Sequence, residues 1–206
     1  TFVSERETQM DMLLLVSPGG GRKTALAKIL AATLFLLLTS LWFSLLDLIG
    51  FAASFQTLEG LALPVFAIPN FAEASVNLSI FQYVLLSAAL KCAGTWVIGM
   101  LWLLVSMFWK NALLPFVINF ALCMALTVSG AACAYSNFFW TKVLNPYSLL
   151  TNRVLLGKTE FVNLGGFPVL TWQAAIWFAL IAGLAAAAMI YFLSAENCHR
   201  CVRRAK

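Results

Sequence analysis

Four long apolar runs constrain this chain more than any other feature. A helix that crosses a lipid bilayer needs about 20 predominantly apolar residues. Runs of that length extend from Ile29 to Ile49, lie within Ile80–Trp109, start near Ala112 and fade around Tyr135, and extend from Val169 to Ala195. The first is interrupted only by Asp47 near its far end, the second holds Lys91, and the fourth has no charge. Nearly every position is apolar, so periodicity does not separate one face from another. The helix assignment rests on length and on the need to satisfy every backbone N–H and C=O without water. The expectation is an all-α polytopic membrane protein with four transmembrane helices, at about 26–49, 80–109, 112–135 and 169–195.

Composition agrees. Only 10% of the residues are charged, against about 25% in soluble domains, and the mean hydropathy is +0.91. The net charge of +5 is no nucleic-acid signal, because the basic residues flank apolar spans, where they set orientation. Nine of them (Arg6, Arg22, Lys23, Lys28, Lys110, Arg200, Arg203, Arg204 and Lys206) share the side of both termini, and three (Lys142, Arg153 and Lys158) lie on the other. That bias places both termini in the cytoplasm, and an even number of spans agrees.

The connections are unequal. Little more than Lys110-Asn111 joins spans two and three, whereas the outer loops run roughly over 50–79 and 136–168. Ser79 and Gln82 read as a capping box that starts the second span. Asn145-Pro146 reads as a stop and restart. After it Tyr147, Leu150, Val154 and Leu155 recur at near-helical spacing, with Arg153 and Lys158 off that stripe. The expectation there is a short interfacial helix. The stretch 161–167, with Gly165-Gly166, is expected to turn the chain back into the bilayer. Small residues four apart, Ala121, Ala125, Ser129 and Cys133 in the third span and Ala179, Gly183 and Ala187 in the fourth, let helix backbones approach closely. Packing within the chain is the plainer reading and packing across a dimer the other.

The first 23 residues are read as a cytoplasmic amphipathic helix followed by a glycine-rich break. Ser4 and Glu7 form a capping-box pattern that starts a helix at Glu5, and Met10, Leu13 and Leu14 share one of its faces. Such a helix either lies on the membrane or docks a cytoplasmic partner. Gly19-Gly20-Gly21-Arg22-Lys23-Thr24 is not a phosphate loop, since Arg22 and Ser17 stand where that pattern requires glycine. Residues 196–206 read as a basic tail. Its Cys198, His199 and Cys201 offer three ligands where a structural zinc site takes four, so no metal is expected.

Lys91 is the costliest residue to insert, at about 2.5–3.5 kcal/mol for a mid-bilayer lysine. The plainer expectation is that it snorkels to the outer headgroups. The alternative is that it faces a substrate path or pairs with Asp47, which lies at similar depth. No converging titratable groups suggest catalysis, so no catalytic residue, bound cofactor or enzyme activity is expected of this chain.

Several pieces together resemble the permease subunits of type-2 ABC exporters. Glu5 or Glu7, Leu13-Leu14-Leu15, Ser17-Pro18-Gly19 with Arg22, and Ala27-Lys28 resemble the cytoplasmic loop between their second and third helices. Pro64, Pro69 and Phe71 before the second run, Leu144-Asn145-Pro146 with Leu149-Leu150, and Asn163-Leu164-Gly165-Gly166-Phe167-Pro168 are similar to later parts. These permeases have six spans, so the resemblance implies the C-terminal four-span portion, in a bacterial plasma membrane. It implies that Glu5, Glu7, Met10, Leu13 and Leu14 contact a separate ABC ATPase subunit, where ATP is bound and hydrolysed, and that a second permease half completes the transporter. The alternative is a non-transporting four-span scaffold. Neither reading has a nucleic-acid partner.

Overall fold

The computed structural model describes residues 2–8, 10, 20–55, 59–67, 71, 78–109, 111–134 and 139–204. Four of its helices are long and apolar enough to cross a membrane, and the protein is an all-α polytopic membrane protein. Helix α1 spans Phe2–Glu7, α2 Gly20–Phe55, α3 Ile80–Ser106 and α4 Leu113–Ala134. Three short helices follow, α5 (Phe139–Leu144), α6 (Pro146–Thr151) and α7 (Arg153–Leu156). A hairpin of β1 (Phe161–Leu164) and β2 (Phe167–Leu170) leads into α8 (Thr171–Arg204).

The first span departs from expectation at both ends. Gly20 and Gly21 are already helical, so they open α2 rather than separate it from α1. Glycine costs little at a helix start. At the other end α2 runs past Gly50 to Phe55. Residues 51–55 carry no charge, and a helix stopped short within apolar surroundings strands its last four carbonyls. One glycine in a helix interior costs only about 1 kcal/mol. The expected tail is likewise helical, since α8 continues to Arg204. Helix α1 starts at Phe2, which places Ser4 inside it and not at its cap. Val3 is buried and the Lys28 ammonium sits over the Phe2 ring, so tertiary contacts override the local capping signal.

The start of α3 follows the sequence closely. Gln82 N–H donates to Ser79 Oγ at 3.3 Å, and Ser79 N–H donates to Gln82 Oε1 at 3.2 Å. Two short 3-10 turns, Glu59–Ala62 and Val65–Ala67, precede it. Backbone bonds from Val65 to Leu78 and from Ile80 to Leu63 tie them to this end of α3.

Helix α3 is the axis of the molecule. It packs most extensively against α8 and α2, and these two also meet each other. Polar contacts recur along the α2–α3 seam: Trp96 Nε1 donates to Thr33 Oγ1 (3.2 Å), Cys92 Sγ to Ser40 Oγ (3.0 Å), and Lys91 Nζ to Asp47 Oδ2 (2.5 Å). Their α2 members are seven residues apart, two helical turns, which keeps them on one side of the helix. Hydrogen bonds of this kind join helices where lipid supplies no hydrophobic drive.

The two small-residue stripes have different uses. On α8, Ala179 and Gly183 are buried, and a Cβ on Gly183 would lie 2.3 Å from Trp96 Cζ3. Gly183 is therefore the slot that admits the Trp96 ring. On α4, Ala121 and Ala125 are exposed, and Ser129, also largely exposed, meets outside its own helix only the Asn145 amide among the described contacts, so these residues do not seat a neighbouring span. The reason is spatial: α4 meets α3 only lightly and otherwise touches α5 and α6.

Candidate functional site

The chain between α4 and α8 does more than lie on the surface. The interfacial helix expected after Asn145-Pro146 is two short helices, α6 and α7, and with α5 before the break they form a segment whose middle is sunk among the spans. Gly94, the fifteenth of the 27 residues of α3, shows the depth. A Cβ there would meet Leu149 Cβ at 3.0 Å and the Pro146 carbonyl at 3.2 Å. The tip therefore reaches the midpoint of α3. Leu149, Leu155 and Leu156 are buried in one cluster with Leu90 and Val97 of α3 and Ala175 and Ala179 of α8. Helix α5 descends to Asn145, and α6 and α7 climb back, making a re-entrant segment. The approach of Leu149 to Gly94, halfway along α3, sets this tip deeper than a helix resting at the headgroups.

Broken backbone at this depth must find partners inside the protein, and it does. Asn145 caps α6, its Oδ1 accepting from Tyr147 N–H at 3.0 Å. Asn145 Nδ2 donates to the Leu126 carbonyl (3.0 Å) and Ser129 Oγ (3.1 Å) of α4. Ser148 Oγ donates to the carbonyls of Lys142 (2.7 Å) and Asn145 (2.6 Å) at the break. Asn152 ends α6 with a φ of +52°. Its Nδ2 donates to the Ser87 carbonyl (3.1 Å) and hydroxyl (2.6 Å) of α3. Each break in the helix is thus pinned to a different span.

One ion pair closes the unit. Lys142 is buried on α5, and its Nζ lies 2.8 and 3.0 Å from the two Glu160 carboxylate oxygens. The Glu160 carbonyl accepts from both the N–H (3.1 Å) and the hydroxyl (2.6 Å) of Thr171, the first residue of α8. The descending helix is thereby tied to the last span through a single residue. The hairpin follows at once, and its Gly165-Gly166 turn has both φ values positive, +62° and +99°, as a tight two-residue hairpin requires. This is how the expected return into the bilayer is made.

The residues singled out from sequence fall into three places. Glu5 forms an ion pair with Lys28 near the start of α2. Met10 is exposed, the side chain of Glu7 lies outside the described ones, and Leu13 and Leu14 lie outside the described residues. Asp47 and Lys91 meet each other, the second of the two expectations for Lys91, and the Asp47 side chain is 61% exposed. The pair sits in the last quarter of α2 and before the midpoint of α3. The side chains of Cys198, His199 and Cys201 lie outside the described ones.

Sequence reasoning missed Lys142, Glu160, Ser148 and Asn152. The available signals were a lone lysine just before Asn-Pro in apolar surroundings and an asparagine where a short helix stops, a common left-handed cap. Compared with models of protein families, with curated proteins and with solved structures, the chain matches none.

Proposed function

We propose that this chain is the transmembrane permease part of an ATP-driven exporter of the type-2 ABC class. It works with a separate ATPase subunit and a second permease half in a bacterial plasma membrane, both ends on the cytoplasmic side. The observation that carries this reading is the re-entrant segment. Interrupted helices at membrane depth are tolerated where they are enclosed by protein or line a cavity, and they recur in transporters, where they help to form substrate and ion sites. A break held at the midpoint of α3 by three asparagine and serine side chains and an ion pair supports this reading over a purely organising role.

The N-terminal segment supports the partner. Glu5 and Phe2 grip Lys28, so a displacement of α1 is passed directly to α2. Glu5 is occupied within the chain, which leaves Glu7, Met10, Leu13 and Leu14 as the ATPase-facing candidates.

The test is affinity purification of the tagged full chain from its native membranes, followed by photolabelling with azido-ATP. An ATP-labelled subunit should co-purify, and Glu7→Lys or Leu14→Asp should weaken its retention while the chain stays in the membrane. Absence of any ATP-binding subunit from the preparation overturns the reading.

A further inference from the structure

A cavity of about 250 Å³ lies under the re-entrant tip. Val97 and Leu101 of α3 form one wall, Val143 and Pro146 of the tip form its roof, and Ala179 and Ala182 of α8 form the other wall. None of the lining side chains carries a polar atom. A water needs two to four polar partners, and a polar ligand group buried without a hydrogen bond costs about 1–3 kcal/mol. The lining therefore selects an apolar occupant.

Depth and access narrow the choice. Ala179 and Ala182 lie 8 and 11 residues along α8 from Thr171, about 12–16 Å. Val97 and Leu101 lie 9 and 5 residues before Ser106, about 8–14 Å from that end of α3. The cavity thus faces the hydrocarbon layer whichever way the chain is oriented. Leu144 and Ile181, each 61% exposed, stand at its mouth, so entry is sideways from lipid. Alanine at 179 and 182 supplies the room. The volume is below the about 300–1,000 Å³ of sites for drug-sized ligands, and suits a slender chain.

We propose that this cavity binds one hydrocarbon chain of a membrane amphiphile, seated beneath the Asn145-Pro146 tip. The occupant fills the space that α8 leaves open there and braces the tip against α3. The site depends on the four-span fold and not on the exporter reading, so the two succeed or fail separately.

The experiment uses the full chain in nanodiscs of phosphatidylcholine and phosphatidylglycerol. One arm carries a phospholipid with a mid-chain diazirine, and the other a free fatty acid with the same group. After illumination, adducts are mapped by mass spectrometry. The expected result is labelling at Val143, Leu144 and Ala182 well above that at Phe116 and Val128 on the exposed face of α4. Labelling in the phospholipid arm identifies a bilayer lipid as the source, and labelling in the fatty-acid arm a free amphiphile; either supports the site. Ala182→Phe should occupy part of the cavity and cut these adducts about tenfold, the effect of excluding roughly two methylene groups, with α4 labelling unchanged. Ala182→Leu, a milder filling, should give a partial loss if the larger side chain disturbs folding. Cavity adducts no more abundant than those on α4, in both arms, or adducts undiminished by either substitution in folded protein, would overturn the proposal.

Discussion

Asn152 carries two separable duties. Its φ of +52° is a conformation that most residues resist, at about 1–3 kcal/mol, and its amide holds the Ser87 carbonyl and hydroxyl. Glycine relieves the backbone but loses the bonds, while alanine loses both. Asn152→Ala should therefore lower stability by about 2–3 kcal/mol and Asn152→Gly by about 1–2 kcal/mol. Thermal unfolding in detergent measures the order, and equal losses would show that the backbone carries no strain. Asp47 and Lys91 work as a pair by a different physics. Lys91→Met leaves an acid without its counter-ion in a span, where insertion scales charge up to about 2.5–3.5 kcal/mol at the centre. The single change should reduce the membrane-inserted yield, and adding Asp47→Asn should restore it, since the remaining groups are neutral. An inserted yield unaffected by Lys91→Met would show that the contact at 2.5 Å is incidental to assembly.

The seam of α3 with α2 and α8 is organised around Trp96, which donates to Thr33 on one side and rests on Gly183 on the other. A methyl group at 183 would lie 2.3 Å from the ring, and an indole held by a hydrogen bond cannot swing aside freely. Gly183→Ala should cost about 1–3 kcal/mol, the usual range for overpacking. Trp96→Leu should remove most of that penalty, a coupling readable from a double-mutant cycle in unfolding experiments. At this scale the sequence was partly legible. The α8 stripe and the Ser79 cap of α3 could be read because each is a local pattern that works where it stands. The α4 stripe could not, because its exposed Ala121 and Ala125 have the same spacing as the buried Ala179 and Gly183. Spacing says that close approach is feasible, not which neighbour arrives. Thr33, Ser40 and Asp47 were legible in principle, as polar residues seven apart in an apolar helix, and their regularity marks the face of α2 that meets α3.

For the whole molecule, four spans were plain from length alone, while the depth of the chain between α4 and α8 was not. Asn145-Pro146 announces a break, but a break looks alike on the surface and at mid-depth. The contacts that draw it inward, Lys142 with Glu160 and Asn152 with Ser87, join residues 18 and 65 positions apart. Local sequence therefore suggested a surface helix where the structure has a re-entrant one. The two arrangements and the proposed orientation can be separated by cysteine accessibility in intact cells, using a background with the native cysteines replaced by serine or alanine. Phe167→Cys, at the 76% exposed turn of the hairpin, should react with a membrane-impermeant maleimide added outside. In the proposed orientation, which the bias of basic residues favours, Met10→Cys should react only after the membrane is opened. Leu149→Cys is the deciding position, since a headgroup-level helix would present it to reagent or lipid surface, whereas the re-entrant arrangement packs it against Gly94. It should stay unlabelled in both cases and become reactive only when Lys142→Ala and Asn152→Ala release the segment from α8 and α3.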